Sequence, residues 1–297
     1  VVQCVDPTGL FGDEDGDHSD CIGGCGHDEN PVVINLNTFA LDGLKGTIDG
    51  EDHTYQRSGA TIQGPDNDLI GVLATERTMV EVIVEPADCD SQFSAVVQVN
   101  DGFETMTFNA GITPDSRTAR TMVASPYLNN ELPFYVYVQH ESNYENFQPG
   151  GGSFVGGDDY DYIVRFNTSD FSPEELGNLN QSPSTATADG QLEQGGDIHY
   201  YRFTAPATAN VSVEVDSTGS DELVLSVIGF RTIEGQLILH GSEFDDDESG
   251  TVTIDESDFR TCDGDCGSAQ GEFIFAVTDY NGAAGDDFSY ELTVTVD

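Results

Sequence analysis

Asp13, Asp15, Asp17 and Asp20 surround Gly16 in the stretch Asp13-Glu14-Asp15-Gly16-Asp17-His18-Ser19-Asp20, which Cys21 closes. Carboxylates at alternate positions of a tight loop can converge, and Ca2+ takes about six to eight oxygens from such a loop. The full EF-hand pattern, with Glu at its twelfth position, is missing. A chain this acidic also produces Asp-x-Asp-Gly-Asp as a plain hydrated loop, so a calcium loop and a solvated acidic loop both stand. Asp245-Asp246-Asp247-Glu248 is a shorter version of the same pattern. Asp66-Asn67-Asp68, Asp158-Asp159 and Asp286-Asp287 read as turn residues, because Asp and Asn side chains bond locally to the backbone.

Six cysteines fall into two close pairs, Cys21 with Cys25 and Cys262 with Cys266, leaving Cys4 and Cys89. An even count in a chain without cytosolic signatures fits disulfides formed in an oxidising compartment. A metal site built from the two Cys-x-x-x-Cys pairs is the rival. Zinc sites usually use tighter spacing, and Asp263 and Asp265 would crowd negative charge around thiolates. Disulfides Cys21–Cys25 and Cys262–Cys266 are therefore expected, with Cys4–Cys89 tying the leader to the first domain.

Catalytic motifs do not emerge. The sequence has no Gly-x-Ser-x-Gly elbow, His-Glu-x-x-His pair or phosphate-binding Gly-x-x-x-x-Gly-Lys loop. His53 beside Asp52, and His199 near Asp197, could be half of a triad, but no nucleophile with its own setting accompanies them. Both read better as histidines at a sandwich edge. Tyr127, Tyr135, Tyr137, Tyr144, Tyr160 and Tyr162 concentrate in the first half, where outward tyrosines serve cross-strand pairing, a subunit contact or a ligand. Sequons at Asn167, Asn180 and Asn210 occur about as often as chance gives in such a composition.

These residues sit on a chain of 297 residues with 55 acidic and 9 basic side chains, a net charge of −46. Such a field repels nucleic acid and anionic membrane surfaces. It suits a secreted protein whose carboxylates face high salt, bound divalent cations, or both. The start at Val1, without Met or a basic-then-apolar leader, reads as a mature chain whose signal peptide has been removed. No run of 18 apolar residues exists, so no helical membrane span is expected.

The chain repeats itself. Gly157-Asp158-Asp159-Tyr160-Asp161-Tyr162 returns as Gly285-Asp286-Asp287-Phe288-Ser289-Tyr290, Phe134–Val138 returns as Phe273–Val277, and Asp52–Tyr55 returns as Asp197–Tyr200. Three matches in one order indicate a duplicated domain. Each copy carries short alternating runs separated by Gly, Asn and Pro turns, the pattern of a β-sandwich. The expected division is an acidic leader over 1–40, a first sandwich over 41–167, a linker over 168–189 and a second sandwich over 190–297. Ser172-Pro173-Glu174-Glu175-Leu176 in that linker has the cap and first-turn residues of a short helix. Asn100-Asp101-Gly102 predicts a tight hairpin. Val32, Ile34, Leu36 and Ala40 alternate along a further strand in the leader, which has no visible counterpart before the second copy.

Asp197-Ile198-His199-Tyr200-Tyr201-Arg202-Phe203-Thr204-Ala205-Pro206, the alternating Val211–Val215, Ser249–Ile254, Phe273–Val277 and Gly285–Val294 resemble the bacterial pre-peptidase C-terminal domain. The resemblance covers nearly all of residues 187–297 and more weakly Asp52–Tyr55 with Phe134–Phe166. It implies a jelly-roll-like sandwich, often with structural calcium, so the expected fold is an all-β chain of two tandem jelly-roll-like β-sandwich domains behind the acidic, Cys-containing N-terminal leader. It also implies a non-catalytic accessory role in secreted proteins. The acidic loop around Gly16 is similar to calcium loops of the thrombospondin type-3 and dockerin kind, with different spacing. The expected function is a non-enzymatic extracellular structural protein that self-associates into a homopolymer or surface layer, with Val32–Ala40 as the strand that fills a sheet edge. The alternative is an accessory polysaccharide- or matrix-binding protein.

Overall fold

The structure is a computed structural model that describes residues 11–12, 32–38, 43–48, 53–57, 60–64, 68–74, 78–100, 108–110, 117–124, 134–145, 154–157, 159–181, 183–206, 209–219, 224–233, 236–244, 251–254, 270–279 and 282–297. It is an all-β chain that divides into two compact units, Val1–Val123 with Asn130–Ser169, and Ala124–Asn129 with Asp170–Asp297.

The strands of the first unit are β1 (Phe11–Gly12), β2 (Val32–Asn35), β3 (Leu44–Thr47), β4 (His53–Arg57), β5 (Ala60–Gly64), β6 (Asp68–Leu73), β7 (Thr78–Pro86), β8 (Ala95–Asn100), β9 (Phe108–Ala110), β10 (Ala119–Ala124), β11 (Phe134–His140) and β12 (Asp161–Asp170). One sheet runs β1-β3-β12-β7-β10 and another β2-β6-β11-β8-β9, with β4-β5 as a separate hairpin. The second unit holds β13 (Glu174–Asn178), β14 (Ser184–Gln191), β15 (Ile198–Pro206), β16 (Val211–Ser217), β17 (Leu225–Ile233), β18 (Gln236–Phe244), β19 (Thr251–Ile254), β20 (Gln270–Asp279) and β21 (Ser289–Val296). Its sheets run β13-β15-β20-β17-β18 and β14-β21-β16-β19. With β13 set aside, the eight strands follow the order 1-8-3-6 in one sheet and 2-7-4-5 in the other, the connectivity of a jelly roll.

Alternation builds the second sandwich. Val211, Val213 and Val215 are fully buried while Ser212, Glu214 and Asp216 face outward, and β21 buries Leu292, Val294 and Val296 in the same rhythm. From the other sheet, Phe203 and Phe273 stack at a centroid distance of 5.0 Å. They belong to the same core cluster as those valines. Each fully buried side chain of this kind contributes about 1.5–3 kcal/mol.

With β1 and the β4-β5 hairpin set aside, the two modules have the same sheet orders. β2, β3 and β6–β12 correspond to β13–β21 in the same chain order, so the repeat is a nine-strand module. Backbone contacts repeat with it. The Gly157 N–H donates to the Ile48 carbonyl at 2.7 Å, and the Gly285 N–H donates to the Leu192 carbonyl at 2.9 Å. Both glycines adopt positive φ, 107° and 155°, which a side chain would resist.

Several sequence expectations change. The segment read as a linker with a helix at Ser172–Leu176 instead supplies β13 and most of β14. β13 lies parallel to β15, where Glu175 meets Arg202 across the ladder. That sheet pairing outweighs the local capping pattern. The leader strand does have a counterpart, because β2 pairs parallel with β6 as β13 does with β15. Asn35-Leu36-Asn37 and Asn178-Leu179-Asn180 close the two strands identically. Each first Asn accepts from the N–H two residues on, at 3.0 and 3.1 Å. The leader strand also ends earlier than its alternation suggested, since Leu36–Thr38 form a turn. Asp52–Tyr55 does not match Asp197–Tyr200, because β4 belongs to the β4-β5 hairpin and β6 is the equivalent of β15. Val99 pairs with Phe108, so the connection after β8 is longer than the tight turn predicted at Asn100-Asp101-Gly102.

Candidate functional site

Asp13, Asp15, Asp17 and Asp20, the cysteines Cys4, Cys21, Cys25, Cys262 and Cys266, and Ala40 lie outside the described residues, as does Asp245–Glu248. Cys89, the remaining cysteine, is disulfide-bonded. Among the described residues, no group of three or more His, Cys, Asp or Glu side chains is arranged to hold a metal ion. No helix among them is long and apolar enough to cross a membrane.

β2 forms an edge strand of its own chain's sheet. Val32 pairs with Ile70, Val33 with Gly71, Ile34 with Val72 and Asn35 with Leu73. Ile34 is buried and Val33 is 50% exposed, the division that alternation predicts. Leu36, half-buried, donates its N–H to the Leu73 carbonyl at 2.9 Å just past the strand. Among the described residues, no strand pairs with the other edge of β2.

Each module also contains one buried tyrosine that reaches from one sheet to the other. In the first, Tyr162 lies opposite Gly46 and donates its hydroxyl to Asp68 at 2.5 Å. Asp68, expected as a turn residue, opens β6 and is buried. In the second, Tyr290 lies opposite Gly190, and its Oη sits 2.7 Å from Tyr201 Oη and 2.8 Å from His199 Nδ1. Register places His199 where the first module has Asp68: each lies opposite the equivalent valine, Val277 or Val138. Burial raises the pKa of Tyr290 far above that of a free phenol, with Tyr201 adding to the effect. Burial lowers that of His199 despite the opposing field of Asp197, Glu174 and Glu193.

The half-triad at His199 takes another form. The imidazole Nδ1 meets Tyr290, while Asp197 Oδ2 accepts the backbone N–H groups of Glu193 and Gln194 at 3.0 and 2.8 Å. The Asp197 carboxylate thus braces the turn before β15. His53 lies on β4, where its backbone pairs with Gly64. His140, which sequence analysis did not single out, is buried between Phe93 and Tyr160. Its Nδ1 accepts the Ser142 N–H at 3.1 Å, which leaves Nε2 to donate toward the Gln92 carbonyl at 3.4 Å. Burial lowers its pKa as well.

Tyr127 lies outside the described residues, and the tyrosines whose side chains are described, Tyr135, Tyr137, Tyr160 and Tyr162, do not form one exposed row. Tyr162 is core, Tyr160 packs edge-on against His140, and Tyr135 and Tyr137 are half-buried side by side on β11. The outer face of the first module's β3-β12-β7-β10 strands is laced with ion pairs. Lys45 meets Asp161, Arg165 meets Glu85 at 2.7 Å, and Arg120 meets Glu81 at 2.5 Å.

The chain matches no protein-family model and no curated protein sequence. Among solved structures it is similar to the mitogen derived from Yersinia pseudotuberculosis, at 14% identity and a TM-score of 0.26 over 39% of this chain and 87% of that one. It is also similar to a periplasmic inhibitor of g-type lysozyme from Aeromonas hydrophila, at 17% identity and a TM-score of 0.25 over 42% and 100%. The CUB1-EGF-CUB2 domains of rat MASP-1 align at 10% identity and a TM-score of 0.23 over 89% and 99%. Likenesses this distant carry no argument about function.

Proposed function

We propose that this protein is a non-enzymatic extracellular structural subunit, built from two modules of the pre-peptidase C-terminal kind and arranged in a surface assembly or filament. The observation that carries this reading is the ninth strand of the module. β2 adds itself in parallel to one sheet edge through four residue pairs, and among the described residues no strand pairs with its outer edge. A short parallel edge strand of this kind can be supplied by its own chain or by a neighbour's. Disulfides and calcium would stiffen the subunit, and the acidic surface would stay hydrated in high salt. Replacing Ile34 and Leu36 with Asp would put charge on the buried side of that edge. Electron microscopy of negatively stained protein should then show loss of assembly, and calorimetry a lower melting temperature. A substituted protein that assembles and melts like the parent ends the proposal.

Tyr135 and Tyr137, adjacent on one face of β11, favour a second reading as an accessory polysaccharide- or matrix-binding protein. Retention on insoluble polysaccharides that survives Tyr135→Ala with Tyr137→Ala would remove that support.

A further inference from the structure

Of the outward sheet faces of the two modules, three carry charge on their strands. The first module's β3-β12-β7-β10 face holds the pairs of Lys45 with Asp161, Arg165 with Glu85 and Arg120 with Glu81. In the second module, the β13-β15-β20-β17-β18 face holds Arg202 with Glu175 and Glu272, and the β14-β21-β16-β19 face holds Glu214, Asp216 and Glu291. The fourth face, on β2-β6-β11-β8-β9 of the first module, is of another kind. Val33, Gly71 and Tyr135 form one rank across β2, β6 and β11. Tyr137 and Gln98 form the next, and Gln139 and Val96 the third. Leu69, Asn100 and Asn109, whose backbones pair with Tyr137, Tyr135 and Gln98, are uncharged residue types as well. None of these positions carries a charge, in a chain with 55 acidic residues among 297.

The chemistry of the face is that of stacking and neutral hydrogen bonding. Tyr135 and Tyr137 are half-buried on the same side of β11, about 6.8 Å apart along the strand, so each can meet a different residue of a long ligand. Gly71, opposite Tyr135, leaves its ring room to lie across the sheet and present a flat surface. Among the described residues Val33, at the end of that rank, is the one large apolar side chain left exposed, at 50%. Gln139 adds an unmet acceptor. It is 8% exposed and donates from Nε2 to Gln98 Oε1 at 3.3 Å, and among the described residues no group donates to its own Oε1. Buried amides normally satisfy both ends, so this oxygen is available to a hydroxyl hydrogen from a ligand.

We propose that this face of the first module binds a neutral, hydroxyl-rich polysaccharide, a glucan or a mannan. Tyr135 and Tyr137 stack against the apolar faces of the sugar rings, and Gln98 and Gln139 exchange hydrogen bonds with the sugar hydroxyls. A neutral chain matches the charge of the face. An anionic polymer is repelled by a protein of net charge −46, and a cationic one is drawn to the carboxylates elsewhere. A second copy of this chain brings the same net charge and is disfavoured for the same reason. The inference rests on the reading of Tyr135 and Tyr137 as a binding site and narrows it to one chemical class.

The test is retention of the full chain on insoluble cellulose, curdlan and mannan, with alginate and chitosan beads beside them, at low and at molar NaCl. Stacking and neutral hydrogen bonds are little screened, so retention on a neutral polymer should change less than about twofold between the two. Tyr135→Ala with Tyr137→Ala should weaken it at least about tenfold, and Gln139→Leu about fivefold. Thr185→Ala with Thr187→Ala, at exposed positions of β14 in the second module, should change it less than about twofold. The chain has no tryptophan, so the tyrosine absorption of the unsubstituted protein should shift on titration with soluble glucomannan, whether or not the tyrosine variant folds. An unshifted spectrum, or a parent that none of the neutral polymers retains, overturns the proposal. Neutral retention equal in the parent and the tyrosine variant overturns it together with the reading it rests on. Retention confined to alginate or chitosan, yet lost in the tyrosine variant, overturns the neutral class and leaves that reading standing. Self-association lost in the tyrosine variant, with no polymer retained by the parent, assigns the face to a second copy and also overturns the proposal.

Discussion

Gly190 is the position where one methyl group should do most damage. A Cβ built there would lie 2.7 Å from Cε2 of Tyr290 and closer still to its Cζ and Oη. Ordinary carbon contacts are about 3.5–4.0 Å, so the ring would have to retreat by roughly 1 Å. It is 1% exposed and has no solvent to retreat into. Overpacking of this kind costs about 1–3 kcal/mol. Moving the ring also strains the hydroxyl contacts with Tyr201 at 2.7 Å and His199 at 2.8 Å, each worth about 0.5–1.5 kcal/mol net. Gly190→Ala should therefore destabilise the second module by about 2–5 kcal/mol, on the order of 10 °C in melting temperature. Calorimetry in molar NaCl is the assay, since two units need not unfold as one transition. Tyr290→Ala alone should cost about 3–5 kcal/mol, but adding Gly190→Ala to it should cost almost nothing, because the methyl then enters vacated space. If Gly190→Ala costs as much with Tyr290→Ala as without it, the clash is not the cause and the reasoning fails. Gly46→Ala, whose Cβ would meet Cε1 of Tyr162 at 2.8 Å, should repeat the result in the first module.

Burial depresses the pKa of both His140 and His199 below 6.5. Their contribution is therefore present above pH 6.5 and lost as pH falls through the lower folded-state values. Melting temperature should begin to drop near pH 6.5, and a His140→Gln, His199→Gln variant, although less stable, should lack that inflection. Cys89→Ser should lower the stability of the first module by about 2–4 kcal/mol. Non-reducing peptide mapping should find Cys89 joined to Cys4, and a link to Cys21 or Cys25 would refute the connectivity expected here. At low salt a chelator should lower the melting temperature and Ca2+ should restore it. Recovery by NaCl alone would instead point to general screening of the acidic surface.

Alternation was legible because a half-buried strand writes its two faces into consecutive residues. Val211-Ser212-Val213-Glu214-Val215 has the same meaning in the sequence and in the sandwich. The duplication was legible too, through Gly157–Tyr162 and Gly285–Tyr290, since a positive-φ turn followed by a core tyrosine keeps its residue types in each copy. The ninth strand was half hidden. Asn-Leu-Asn at 35–37 and 178–180 is an exact echo, but Glu174-Glu175 ahead of the second copy presents a helix start locally, and only the pairing with β15 overrides it. The polar core positions could not be read at all. Gly46 with Tyr162 and Gly190 with Tyr290 are each separated by about a hundred residues, and they meet only when the first and last strands of a jelly roll come side by side. Asp68 had every local mark of a turn residue, and His199 every mark of an edge residue. What buries the first and half-buries the second is a tyrosine that the other sheet brings down on them, a fact of three-dimensional register that no local pattern encodes.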